Sequence, residues 1–195
     1  TIPSGEVTIG GGRSGEGPRR IHMEEVEMSQ TTVTVQQYAA LMFRFYYAEH
    51  RWKEYHPGTT LSSPNLPVTH VSAYDAEEWA RRYSDVLSLS SPDALCRLPL
   101  SAEWEAAARG RDNYRYAGSD DLEEVAWCGS NNGNRRHPVG LKKPNGFGLF
   151  DMTGNVYEWM DDNWEEGSAD GTGAYEQHLA NRASMSRDDW AARAR

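Results

Sequence analysis

Cysteine is scarce in this chain, which holds two residues, Cys96 and Cys128. A dense disulfide framework is thereby excluded as the main support of the fold; the two thiols read as free, small hydrophobes in core or near-core segments, with a single disulfide between them as the alternative. Lysine is as sparse, at Lys53, Lys142 and Lys143 alone, so positive charge rests on arginine, which suits planar ion pairs inside a fold. With 20 basic against 29 acidic residues, the chain has little cationic surface to offer, which argues against nucleic acid or an anionic membrane surface as a main partner. No stretch approaches the roughly 18 apolar residues of a membrane span, so no membrane insertion is expected. The chain opens Thr1-Ile2-Pro3 without a signal-peptide pattern, which reads as a trimmed or excised segment and leaves the compartment open.

What is abundant is glycine, 18 residues, beside nine prolines and 38% hydrophobic residues in a chain of 195. That describes one folded, loop-rich domain over residues 1–195, large enough to bury a core. Val7-Thr8-Ile9 reads as a short strand and Ile21 to Met28 alternates as a half-buried one, with His22 on its outer, polar side. The glycines between them lack the following Lys-Ser/Thr of a phosphate loop. Thr34 can cap a helix from Val35 to about Glu49 that buries Tyr38, Leu41, Met42 and Phe45. Ser72 with Asp75 opens a second helix, through Leu87, whose buried face is expected to hold Ala76, Trp79, Ala80 and Tyr83.

Two stretches carry more information than the rest. In Cys96-Arg97-Leu98-Pro99-Leu100-Ser101-Ala102-Glu103-Trp104-Glu105, Ser101 reads as an N-cap, with Glu103 or Glu105 in the first turn of a helix that stops at Gly110. The two glutamates fall on different helix faces and cannot act as an acid–base couple; they read as a cap and an arginine partner. In Lys142 to Trp159, Pro144-Asn145-Gly146 is a turn, and Gly148 and Gly154 mark further tight backbone positions. Asp151 and Glu158 bracket the carbonyls of Gly154 and Val156, a mixture of oxygens that a hard cation such as calcium takes. On the residues alone, the favoured reading is that Asp151 caps a turn while Glu158 bonds backbone amides.

These two stretches, with Val33-Thr34, Tyr38, Pro67-Val68, Val71-Ser72 and Ala76 in order before them, resemble the formylglycine-generating-enzyme, or sulfatase-modifying-factor, family. The resemblance runs from about Gly5 to Trp164. It implies the family's variety of the C-type-lectin fold, α+β with short strands, two or three helices and much irregular backbone. It also implies one structural calcium site on Asp151, Gly154, Val156 and Glu158. A second family calcium site around Val125 and Ala126 needs a following Asp, which the sequence does not supply, so that site is expected to be absent.

The family's oxidative chemistry uses copper held by two C-terminal cysteines, and the corresponding stretch here, Asn181 to Trp190, has neither Cys nor His. Copper is therefore not expected, and Met185 reads as a packing residue. Nor does a closing strand of the family's pattern follow, which implies an oligomer or partner chain completing the C-terminal edge. One implied function is a non-catalytic domain that binds a protein or small-molecule ligand, similar to the variable proteins of diversity-generating retroelements. Its recognition surface would comprise Trp164, Tyr175, Arg187, Asp188, Asp189 and Trp190. The alternative is a maturation-type oxidase acting on a peptide or small molecule, for which His50, His56, His70, His137 and His178 are candidate ligands from distant segments. A purely structural accessory domain is a third reading.

Overall fold

The computed structural model describes residues 1–10, 17–42 and 63–162. Its strands are β1, Gly5–Ile9, and β2, Arg19–Met23; its helices are α1, Val35–Met42, α2, Ala73–Leu87, α3, Ser101–Arg109, and the single turn α4, Leu122–Val125. β1 and β2 pair antiparallel, Val7 opposite Ile21 and Glu6 opposite His22, which puts the His22 ring 3.4 Å from the Glu6 carboxylate on the solvent side. The second strand is shorter than its alternation predicts. Past Met23 only Val26 pairs, as an isolated bridge to Ile2, so the rest of that segment runs as irregular backbone.

Local cap chemistry sets the helix starts. The Thr34 hydroxyl accepts from the Gln37 amide, and the Gln37 side chain accepts from the Thr34 amide, a reciprocal box that opens α1. Ser72 and Asp75 form the same box at α2. α3 departs from expectation by one residue: its N-cap is Leu100, and Ser101 is the first helical residue. The Glu103 carboxylate accepts from the Leu100 amide at 2.9 Å and also takes the Arg97 guanidinium, so it serves as both cap and arginine partner. Glu105 instead holds Arg109 and the Gly10 amide. Gly110, at φ 67°, ends the helix.

Two apolar clusters form the core. In the first, Ile9, Ile21 and Met23 of the hairpin pack with Leu100, Ala102, Ala106 and Ala107 of the α3 region and with Leu149 and Met152 of the motif loop. In the second, Val35, Tyr38 and Met42 of α1 meet Leu66, Val68, Val71 and Trp79. The α2 buried face is rotated from the predicted one: Ala80 and Ser84 are buried while Tyr83 is exposed and stacks on Trp79. The cause is Ser84, whose hydroxyl receives the Cys96 amide at 2.7 Å and so draws its own side of the helix inward. No helix among the described residues is long and apolar enough to cross a membrane.

Candidate functional site, a carboxylate cradle beneath the motif loop

The motif loop is fastened to the scaffold by asparagines. Asn145 is buried; its amide donates to the carbonyls of Ala107, at 2.7 Å, and Ala108, at 3.2 Å, while its oxygen accepts from the amides of Phe147 and Leu149. One side chain thus joins the end of α3 to a turn that would otherwise leave main-chain donors unpaired. Asn155 does the same further on. Its oxygen accepts from the His137 amide at 2.9 Å and its own amide donates to the His137 carbonyl at 3.0 Å. His137 in turn stacks on Trp127 with ring centroids 3.8 Å apart, and the Lys142 ammonium lies 4.1 Å from the centre of the Trp127 ring.

Between these anchors the backbone folds tightly, with left-handed Asp151 at φ 62° and Asn155 at φ 71°. The Gly154 amide donates to the Asp151 carbonyl and the Val156 amide to the Gly154 carbonyl. Gly154 lies so close to the neighbouring chain that a Cβ there would sit 2.4 Å from the Trp127 carbonyl oxygen, a backbone atom with no room to yield. Gly154→Ala is expected to cost about 2 kcal/mol through this overpacking. Chemical denaturation checks it, and an unchanged midpoint would show that the Trp127 segment gives way freely.

Asp151 is 3% exposed. One of its carboxylate oxygens accepts from the Gly140 amide at 2.9 Å; the other, Oδ1, is buried without a partner. Burial pushes its carboxyl above the ordinary range, against the Gly140 hydrogen bond. Glu158 faces the same place from the segment that leaves the loop. Burial lifts its carboxyl to about 7, the Trp104 indole N–H opposes the rise, and the neighbouring Asp151 charge adds to it. Two partly desolvated carboxylates that repel one another, one with an orphaned oxygen, are a poor arrangement on their own and a good one around a cation. The carboxylate oxygens of Asp151 and Glu158, with main-chain carbonyls of the same turn at Gly154 and Val156, are of the kind that calcium takes, and the Gly154 carbonyl also accepts the Val156 amide. Among the described residues no three His, Cys, Asp or Glu side chains gather as a metal group.

The segment around Val125 and Ala126 is closed by Asn131. Its amide donates to the Ala126 carbonyl at 3.0 Å and to Glu123 at 2.7 Å, and its oxygen accepts from the Cys128 amide. Cys96 and Cys128 are both free. Cys96 has the thiol character expected of it, raised by burial. Cys128 does not: it lies half-exposed in a polar loop, its thiol lowered by a hydrogen bond from Ser130, because the Asn131 turn holds it away from the core. Of the candidate histidines, His70 lies exposed with its ring on the Thr69 hydroxyl, and His137 is committed to Trp127 and the Asn132 carbonyl. His50, His56, His178, Met185 and the recognition residues Trp164, Tyr175, Arg187, Asp188, Asp189 and Trp190 lie outside the described residues.

Three residues of this site escaped the sequence reading: Asn145, Asn155 and Trp104. Asn145 had a signal, since it sits in a Pro-Asn-Gly turn, but nothing local says that its amide reaches a helix end.

The domain family described as sulfatase-modifying factor enzyme 1-like matches residues 1–190, and the chain belongs to that family. A formylglycine-generating enzyme of Thermomonospora curvata is 36% identical over 124 residues, covering 55% of this chain and 37% of the relative. A Paenibacillus barcinonensis protein named chaperone protein LppX is 40% identical over 89 residues, 35% of this chain and 31% of its own length. These alignments span about a third of each curated relative. Among solved structures, Treponema denticola variable protein 1 superposes with a TM-score of 0.66 at 26% identity, covering 85% of this chain and 72% of that one. The α+β architecture with few short strands agrees with that likeness.

Proposed function

We propose that this chain is a ligand-binding member of the family, with the motif loop organised by one structural calcium ion and recognition carried by Trp164, Tyr175, Arg187, Asp188, Asp189 and Trp190. The observation that carries the non-catalytic reading is the placement of its thiols. The sequence has two cysteines, and each is engaged in a different part of the scaffold. The Cys96 main chain bonds the Ser84 hydroxyl of α2, and Cys128 closes the loop on Ser130 and Asn131. A soft cuprous site needs paired thiolates, and the reading is supported by two thiols that are free and differ in setting, Cys96 largely buried and Cys128 in a polar loop. The likeness to a variable protein supports display of a binding surface on this scaffold.

Bound calcium would supply positive charge between Asp151 and Glu158 and no redox chemistry. In this reading the chain's own residues do the remaining work: Gly140 holds Asp151, Trp104 holds Glu158, and Asn145 and Asn155 keep the loop on the scaffold.

The oxidase reading is favoured by the curated relatives named formylglycine-generating enzyme, and one experiment separates the two. Protein purified without added metal is analysed for its metal content, titrated with copper, and assayed for oxygen uptake with a cysteine-containing peptide. The expected result is calcium near one equivalent, no stoichiometric copper and no oxygen consumption, unchanged in Cys96→Ser/Cys128→Ser. Stoichiometric copper with oxygen uptake would establish the oxidase instead, and loss of that uptake in the double variant, with folding preserved, would assign the thiols to it.

A further inference from the structure

Among the described residues, one side chain from outside the loop joins the cradle to the scaffold. Trp104 lies in the first turns of α3, its amide on the Leu100 carbonyl at 2.9 Å and its ring partly buried against the first apolar cluster. Its indole N–H donates to Glu158 Oε2 at 3.3 Å. An indole N–H is a donor only, so it suits a carboxylate oxygen that must stay ionised and correctly turned.

We propose that Trp104 is the positioning residue of the calcium cradle, holding the Glu158 carboxylate for the ion and coupling ion binding to the N-terminal end of α3. The inference rests on the calcium reading above and adds to it a residue that the ligand set does not contain.

Three observations support the coupling. First, the segment from Asn155 to Asp162 is attached to the α3 region at successive points. These are Glu158 on Trp104, the Asp161 amide on the Pro99 carbonyl at 2.9 Å, and Asp162 accepting from the Ser101 amide at 2.8 Å and its hydroxyl at 3.0 Å. Second, α3 is itself held at that end by Glu103, through the Leu100 amide and Arg97, so it is a firm base for Trp104. Third, the facing carboxylate Asp151 has one oxygen fixed by Gly140 and the other buried without a partner, so each acid of the cradle has one oxygen placed by the protein. Outer partners of this kind orient the ligands, and their loss typically lowers metal affinity about 10–100-fold. A single N–H on one ligand belongs at the lower end of that range.

The test is calcium titration by calorimetry on the whole chain, wild type against Trp104→Phe, which keeps an aromatic ring and deletes the N–H. A Kd raised about tenfold is expected. As a comparison, Asp162→Ala loosens the same segment at its other attachment; it is expected to lower Tm and leave the Kd unchanged. An unaltered Kd in Trp104→Phe would reduce Trp104 to packing and overturn the proposal, as would an equal rise in Asp162→Ala. If Trp104→Phe does not fold, deuterium exchange at the Trp104 indole N–H of the wild type decides: saturating calcium should slow it about tenfold, and an unchanged rate overturns the proposal. A wild type that takes up no calcium would fail earlier and differently, by removing the calcium reading itself.

Discussion

Asn145→Ala is expected to lower the unfolding free energy by about 3 kcal/mol, since the buried Leu149 amide and the part-buried Phe147 amide are left unpaired at up to about 1–3 kcal/mol each. The amides of Phe147 and Leu149 would lose their acceptor, and the carbonyls of Ala107 and Ala108 their donor, in a place that water does not reach freely. Asn145→Asp is expected to do no better, because it keeps the acceptors but faces a carboxylate toward two carbonyls. Urea unfolding measures both, and hydrogen exchange should show the Gly146–Leu149 amides opening first. A loss under about 1 kcal/mol in Asn145→Ala would mean that the loop is held chiefly by its apolar contacts and not by this side chain.

The second large effect concerns the paired carboxylates. In chelator, ionising Glu158 inside the fold works against stability, because its carboxyl is raised from the ordinary 4.5 to about 7, a cost of about 3 kcal/mol. The folded state binds the extra proton, so this contribution is absent near pH 4.5, grows as pH rises, and is complete above about 7. The raised Asp151 carboxyl adds in the same direction. Glu158→Gln is therefore expected to match the wild type at the acid end and to exceed it in Tm at pH 7.5 in chelator. Calcium closes most of this gap by replacing the proton. At free calcium one hundred times Kd the wild type gains about 2.7 kcal/mol, or about 5–10 °C in a chain of this size. Asp151→Asn/Glu158→Gln gains nothing from calcium. Equal melting of the wild type with and without chelator, at pH 7.5, would end the calcium reading.

Much of the helical framework was legible because cap chemistry is local. Thr34 with Gln37 and Ser72 with Asp75 satisfy orphaned amides within three residues, and Gly110 supplies the left-handed stop of α3. The roles of Glu103 and Glu105 as cap and arginine partner were legible for the same reason, while the particular arginines, Arg97 for Glu103 and Arg109 for Glu105, came from the fold. The one-residue shift from Ser101 to Leu100 followed from Asp162, far along the chain, which takes over the Ser101 amide and hydroxyl. Tyr83 was misplaced because helical spacing alone does not reveal that Ser84 is drawn inward by the Cys96 backbone.

The residue types and spacings of the Lys142–Trp159 stretch were enough to indicate the tight turns and the two acids, since those depend on backbone sterics and on carboxylates at short offsets, while the family was indicated by resemblance. Folding added what no spacing contains: the unpartnered oxygen of Asp151, the desolvation that lifts Glu158, the Trp127 carbonyl that leaves Gly154 no room for a side chain, and the contact of Trp104 with Glu158. Burial and long-range hydrogen bonding are properties of packed surfaces, and they come into being only when α3, the Trp127 segment and the motif loop are brought against one another.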